Sequence, residues 1–131
     1  MKTPSHDFGC SACWPKEADD AWEAVKGLKT ELELVDESHF MIKIRSCKQC
    51  SQQFISVFTE TIDWKDGEDS QYWTVLPITS AEADQLSSNG RTAEAALLGL
   101  PRERPSLCHD FPKGSGPKSY WSQGIVIGPH D

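Results

Sequence analysis

Two short cysteine pairs, Cys10-Ser11-Ala12-Cys13 and Cys47-Lys48-Gln49-Cys50, decide the fold of this 131-residue chain. A two-residue gap lets a tight turn direct two sulfur atoms at one ion, and a second such turn completes a tetrahedral shell. The 33 residues between the pairs exceed the ~15 to 20 of the simplest four-cysteine sites, so we expect a helix and a hairpin to be inserted there. The spacing predicts one structural Zn²⁺ bound by Cys10, Cys13, Cys47 and Cys50.

The expected cellular compartment supports metal ligands over disulfides. Residues 1–9 contain no apolar run typical of a signal peptide, and no stretch of ~18 apolar residues is present that would cross a bilayer. We therefore expect a cytoplasmic protein without a membrane segment. Thiols stay reduced in the cytoplasm, and the odd fifth thiol, Cys108, agrees with this interpretation. Three alternatives remain open: redox cycling of one CxxC pair, buried free thiols, and iron in place of zinc.

The first half of the chain predicts a helix followed by a hairpin. Apolar residues recur at helical spacing from Pro15 to about Leu28, with Pro15 suited to a first turn. Apolar and polar residues then alternate over 32–34 and 40–44, on either side of the turn-forming residues 36–39. The second strand of this hairpin leads into Cys47 and would deliver the second cysteine pair to the metal.

The second half predicts more strands and then short helices. Two β-branched and aromatic runs, 54–62 and 72–78, are separated by an acidic tip with an Asp66-Gly67 turn signal, which gives a meander of three or four antiparallel strands. Thr79 or Ser80 would cap a helix over 81–86, and Thr92 a helix over 93–98. The remaining residues are rich in Gly and Pro and predict a loop, although the apolar run Ile125–Ile127 suits an edge strand.

These elements predict one α+β domain over residues 1–131, with a small antiparallel sheet, a zinc-ribbon-like four-cysteine knuckle pair at one end, and short helices packed on one face. The expected regions are a zinc-knuckle region 1–50, a β-meander 51–80, short helices 81–100 and a loop-rich tail 101–131.

The charge of the chain favours basic partners over nucleic acid. The formal net charge is −7, and residues 51–100 carry eight acidic residues against two basic ones. A surface of this sign repels phosphate backbones and attracts cationic proteins, although acidic residues also serve solubility alone. We therefore expect a basic protein as partner, if there is one, with nucleic acid disfavoured.

Two weaker patterns involve histidine. Cys108-His109-Asp110 contains the residue types of a nucleophile, a base and an orienting acid, but catalytic groups are brought together from distant segments more often than from neighbours, so a loop of ordinary residues is expected. His6 or His109 is a substitute metal ligand if one of the cysteines fails to bind.

The two CxxC pairs resemble those of the zinc-ribbon class. The stretch from Cys47 through Phe54, Asp63-Trp64, Asp66-Gly67, Tyr72-Trp73 and Pro77 is also similar to small uncharacterised bacterial zinc-ribbon proteins. This resemblance implies a role only for the four cysteines. The sequence departs from the ribbon pattern in one respect: a Gly commonly follows the second Cys of a knuckle, whereas Trp14 and Ser51 occupy those positions here.

The functional expectation is a small non-catalytic protein that acts by protein–protein interaction through its acidic surface, since four cysteines leave no open metal position for catalysis. An immunity or antitoxin protein that neutralises a cationic toxin is one example. The alternative is a small thiol-dependent enzyme or redox protein that uses a CxxC pair or Cys108. No sequence feature indicates an oligomeric state.

Overall fold

The part of the chain that the structure describes forms a six-stranded antiparallel sheet with two helices of eight and ten residues. The computed structural model describes residues 8–67, 69–89, 96–97, 99–112, 114, 116–125 and 127. The strands lie in the sheet in the order of the chain, each paired with the next. The elements in chain order are α1 Ala18–Val25, β1 Lys29–Glu37, β2 Phe40–Ser46, β3 Gln53–Thr61, β4 Ser70–Ile78, α2 Ser80–Asn89, β5 Pro105–Phe111 and β6 Lys118–Gln123.

The predicted hairpins and the α+β class are confirmed. Alternation of side chains along β2 buries Phe40, Ile42 and Ile44 on one face, because successive strand residues point to opposite faces. A two-residue connection at Ser38 and His39 joins β1 to β2, and the β3–β4 connection contains Gly67 with a φ of 73°, as its turn signal indicates. Helix α1 lies inside the predicted range.

The two helices cover opposite faces of the sheet, so the prediction of helices on one face is wrong. Ala83 and Leu86 of α2 join an apolar cluster with Ile42 and its neighbours on the same face. Ala21 and Val25 of α1 join a second cluster on the other face. The reason is that the central strands are apolar on both faces over part of their length. The second cluster is completed by Cys13, Trp14, Leu28, Cys47, Phe54, Val75 and Leu107.

The C-terminal third contributes two strands where a loop-rich tail was expected. Strand β5 contains Cys108 and pairs with β4 on one side and with β6 on the other. Strands β1 to β4 form the predicted antiparallel meander, and β5 and β6 extend the described sheet to six strands. The Gly and Pro residues that suggested a loop lie between and after these strands. Ile125 and Ile127 do not form the expected edge strand; they pack against the first cluster, while Val126 lies outside the described residues.

Helix α2 begins with a reciprocal capping interaction at Thr79. The Thr79 hydroxyl accepts a hydrogen bond from the backbone N–H of Glu82 at 3.1 Å, and the Glu82 carboxylate accepts one from the Thr79 N–H at 2.9 Å. This is a capping box. Of the predicted second helix over 93–98, Ala96 and Leu97 are helical and the other residues lie outside the described part of the chain. No helix in the described ranges is long and apolar enough to cross a bilayer.

Arg104 connects the α2 capping box to the sheet. Its guanidinium binds both oxygens of the Glu82 carboxylate, at 2.6 and 3.1 Å, and the Pro77 carbonyl of β4 at 2.9 Å. Burial raises the pKa of Glu82, but hydrogen bonds from Arg104 and from the Thr79 N–H outweigh this effect and lower it. The carboxylate therefore stabilises the folded state in its charged form.

We expect Glu82→Gln to lower the free energy of unfolding at pH 7 by about 1 kcal/mol, because the ion pair with Arg104 is lost while the capping acceptor remains. The lowered pKa of Glu82 gives stability that is present above its unfolded pKa of about 4.3 and is lost as pH falls through the folded value. The difference between variant and wild type in urea unfolding should therefore shrink in acid. A difference that is constant from neutral to acidic pH would contradict this account.

Candidate metal centre

The four cysteines of the two CxxC pairs converge at one end of the sheet. Their sulfur atoms all lie within 4.8 Å of one another, an arrangement that could hold a metal ion. The first pair belongs to the segment before α1, and the second pair connects the end of β2 to the start of β3. The structure therefore brings together all four residues that the sequence singled out.

The distances between the sulfur atoms suit a tetrahedral ion. Cys10 Sγ lies 3.8 Å from the sulfur atoms of both Cys13 and Cys47, and Cys13 Sγ lies 3.8 Å from that of Cys50. Four sulfurs placed tetrahedrally ~2.3 Å from one Zn²⁺ are ~3.8 Å apart. A disulfide would require about 2.05 Å, and all five cysteines are free thiols.

Backbone hydrogen bonds shape each of the two turns. In the first, the Trp14 N–H donates to the Cys10 carbonyl at 2.8 Å. In the second, the Ser51 N–H donates to the Cys47 carbonyl at 3.0 Å, and the Gln49 N–H donates to Cys47 Sγ at 3.3 Å. Amide donation of this kind stabilises a thiolate.

Ser51 follows the second Cys of its pair and adopts a φ of 66°, the left-handed conformation that favours Gly. Trp14 is not among the positive-φ residues of the described chain. The departure from the ribbon pattern therefore leaves strain at Ser51 and none at Trp14.

Two residues that the sequence analysis did not identify connect the cysteine pairs. The Gln52 side-chain oxygen accepts a hydrogen bond from the Gly9 N–H at 3.1 Å, and its amide nitrogen donates to the carbonyls of Gln53 and Ile78 at 2.8 and 2.9 Å. Gln52 thereby joins the N-terminal segment to β3 and β4. No sequence signal distinguishes this glutamine from its neighbours, since the bond depends on the folded chain.

Gly9 allows the first turn to pass close to the sulfur atoms. Its φ is 69°, and a Cβ atom added there would lie 2.8 Å from Trp14 Cβ and 2.9 Å from Cys13 Sγ. Any larger residue would therefore displace one of the four thiols. A glycine directly before the first cysteine is the signal from which this position could have been found.

Three aromatic side chains pack together next to the cysteine cluster. Trp14 is buried and packs against Phe54, with ring centroids 5.2 Å apart, and against Trp121 at 5.0 Å in an edge-on arrangement. The Trp121 Nε1 donates to the Lys16 carbonyl at 2.8 Å. Because Trp14 follows Cys13 directly, the first cysteine turn is anchored to the core by its next residue.

Burial and hydrogen bonding shift the pKa values of three of the clustered thiols, in different directions. Burial raises the pKa of Cys13, and neighbouring thiols raise it further despite a backbone hydrogen bond at Cys10. Burial also opposes ionisation of Cys47, but the backbone N–H groups of Cys50 and Gln49 outweigh it and lower its pKa to about 7. Burial raises the pKa of Cys50. A divalent cation bound among the four sulfur atoms would favour the thiolate form of every ligand.

Cys108, His109 and Asp110 do not form a catalytic group. They lie in β5 and not in a loop as expected, so successive side chains point to opposite faces of the sheet. Cys108 is buried, and burial raises its pKa, which is the opposite of an activated nucleophile. Asp110 accepts a hydrogen bond from the Tyr120 hydroxyl at 2.9 Å.

Neither histidine proposed as a substitute ligand belongs to the described cluster. His109 Nδ1 lies 2.8 Å from the Ser119 hydroxyl, and its ring stacks on Trp22 with centroids 4.0 Å apart. His6 lies outside the described residues. Burial lowers the pKa of His109, so this ring packs in its neutral form near pH 7.

Comparisons of the chain with protein-family models, with curated proteins and with solved structures give no match. The candidate metal centre therefore stands on the geometry of its four sulfur atoms.

Proposed function

We propose that this protein binds one Zn²⁺ through Cys10, Cys13, Cys47 and Cys50, and that the ion has a structural role. The observation that carries the proposal is the convergence of the four sulfur atoms within 4.8 Å of one another. Three of their six pairs lie 3.8 Å apart, which is the edge of a tetrahedral zinc site with four sulfur ligands. Four thiolates complete the shell and leave no position for water or substrate. The ion would join the segment before α1 to the β2–β3 connection.

We further propose that the protein acts through a non-catalytic contact with a basic protein, made by the tip of the β3–β4 hairpin. Trp64 at this tip is 88% exposed, and large exposed aromatics are common anchors of interfaces. The tip is ordered by its own acids: Asp63 Oδ1 accepts hydrogen bonds from the N–H groups of Lys65 and Asp66, both at 3.1 Å. An aromatic anchor among carboxylates suits a cationic partner.

The metal proposal predicts about one zinc per chain in protein purified without added metal, measured by atomic emission. Cys13→Ala should abolish zinc binding, whereas Cys108→Ala should retain it. The two cysteines are a matched pair because each is 2% exposed, so both variants lose similar packing and only one loses a ligand. Equal zinc content in the two variants, or a wild-type protein with disulfides and no zinc, would refute the proposal.

A second pair of variants tests the role of Gly9. We expect Gly9→Ala to weaken zinc affinity about 10-fold or more in a chelator competition. The added Cβ would lie 2.9 Å from Cys13 Sγ, and changes to the groups that position a metal ligand cost about 10- to 100-fold in affinity. Gly67→Ala is the control: its φ of 73° imposes similar backbone strain, but a Cβ there meets nothing within 4 Å. If both variants bind zinc as the wild type does, the close approach at Gly9 has no bearing on the metal.

The interaction proposal is tested with a photoreactive amino acid placed at Trp64 and, as a control, at Phe111, which is also an exposed apolar residue at 45%. In cells of the source organism, we expect position 64 alone to capture one basic protein. Binding of the purified partner should weaken about 10-fold or more in Trp64→Ala, as expected for an interface anchor, and should weaken with added salt. A partner captured equally at both positions, or one indifferent to Trp64→Ala, would contradict the proposal.

A further inference from the structure

A cleft of about 210 Å³ lies on the sheet face that carries α1, next to the area that this helix covers. All of its lining residues belong to the three central strands β2, β3 and β4, so its shape is set by a hydrogen-bonded ladder and not by loops. We call it the β2–β4 cleft. Its lining residues are Met41, Lys43, Arg45, Ser56, Phe58 and Trp73.

The cleft contains positive charge that the protein compensates poorly. Among the described residues, Arg45 has no carboxylate within 4.0 Å: its Nη2 donates to the Leu28 carbonyl at 3.0 Å, and its Nε is buried without an acceptor. Lys43 has only a long contact with an exposed partner, 3.6 Å to Glu33. A half-buried guanidinium without a counter-charge costs free energy, part of which a bound anion would recover. The positive charge of Arg45 and Lys43 contrasts with the net charge of −7 of the whole chain.

The hydroxyl of Ser56 adds a second polar group to the cleft. Ser56 is only 7% exposed, it lines the cleft, and its hydroxyl has no hydrogen-bond partner in the described part of the chain. It lies on β3 directly opposite Lys43 of β2 and diagonal to Arg45, on the same face of the sheet. Because this hydroxyl lines the cleft, it is available to donate a hydrogen bond to an acceptor on a ligand.

The opposite wall of the cleft is aromatic and held in place. Phe58 and Trp73 are cross-strand neighbours with ring centroids 4.8 Å apart. Behind Trp73, the ring of Trp22 on α1 lies 5.2 Å away, and that of His109 lies 5.5 Å away. This packing restricts the Trp73 ring from the side away from the cleft. A wall of this kind favours a flat apolar group over an aliphatic chain.

We propose that the β2–β4 cleft binds a small organic anion, whose carboxylate or phosphate group pairs with Arg45 and whose ring packs against Trp73. The anionic group accepts hydrogen bonds from the guanidinium and from the Ser56 hydroxyl, and Lys43 adds a second positive charge. Lys43 and Arg45 lie on β2, and the rings of Phe58 and Trp73, on β3 and β4, are inclined by 43° to each other. The small volume of the cleft favours a compact ligand over an extended acidic chain. The residues that line the cleft include none of the four clustered cysteines and no residue of the hairpin tip.

The test is a titration of the zinc-loaded, ¹⁵N-labelled full chain followed by two-dimensional NMR. The probes are benzoate, phenyl phosphate, inorganic phosphate, benzylamine and a tetraglutamate peptide. We expect an aromatic anion to shift the amides of β2, β3 and β4 around the cleft with a dissociation constant on the order of 1 mM or tighter, and benzylamine to have no effect. Stronger binding of benzoate would identify carboxylates as the ligand class, and stronger binding of phenyl phosphate would identify phosphate monoesters.

Variants locate the anion within the cleft. Arg45→Met should weaken binding of the preferred probe about 10-fold, and Ser56→Ala should weaken it several-fold, as expected for loss of a charged and of a neutral hydrogen bond. Lys26→Met is the matched control, because Lys26 is a cation at the C-terminal end of α1 that pairs with Glu23 outside the cleft. If Arg45→Met does not fold, Ser56→Ala and Lys43→Met carry the test.

Several results would overturn the proposal: no shifts with either aromatic anion, shifts centred outside the cleft, inorganic phosphate binding as well as both aromatic anions, or the peptide binding where the aromatic anions do not. Equal weakening by Lys26→Met and Arg45→Met would also overturn it, because the effect would then reflect overall charge.

Discussion

The convergence of four sulfur atoms is the constraint on which the N-terminal part of the fold depends. It joins a segment that precedes α1 to the β2–β3 connection, which follows α1 and the first hairpin in the chain. Thiolates 3.8 Å apart repel one another, and in a partly buried site this repulsion is poorly screened. A divalent cation would turn that repulsion into attraction, and the free energy of its binding would then also stabilise the fold of this segment.

Ordinary packing of the sheet and helices also holds the two cysteine turns in place. The sheet is buried on both faces along its centre, by α2 on one side and by α1 with the cysteine turns on the other. Trp14 links the metal centre to the second cluster, since it follows Cys13 and packs against Phe54. Gln52 provides a second link, through hydrogen bonds to the Gly9 N–H and the Ile78 carbonyl. Without these contacts the two cysteine turns would be held by the ion alone, as in much smaller domains.

The sequence was informative where the signal is local. The CxxC spacing, the alternation in β2 and the Thr79 cap each depend on residues close together in the chain, and the structure contains all three features. Strands β5 and β6 were missed because their Gly- and Pro-rich surroundings suggested a loop, while pairing with β4 is a long-range interaction. The same error placed Cys108 and His109 in a loop. The hydrogen bond between Gln52 and Gly9 and the cleft beside Arg45 exist only in the assembled sheet, so neither has a sequence signature.

The most direct measurement of the central claim is X-ray absorption spectroscopy at the zinc edge of the protein purified from its source organism. The account predicts a single shell of four sulfur atoms at about 2.3 Å, with no nitrogen or oxygen in the first shell. A shell with histidine or water ligands would contradict the assignment of all four cysteines and would reopen a catalytic role for the ion.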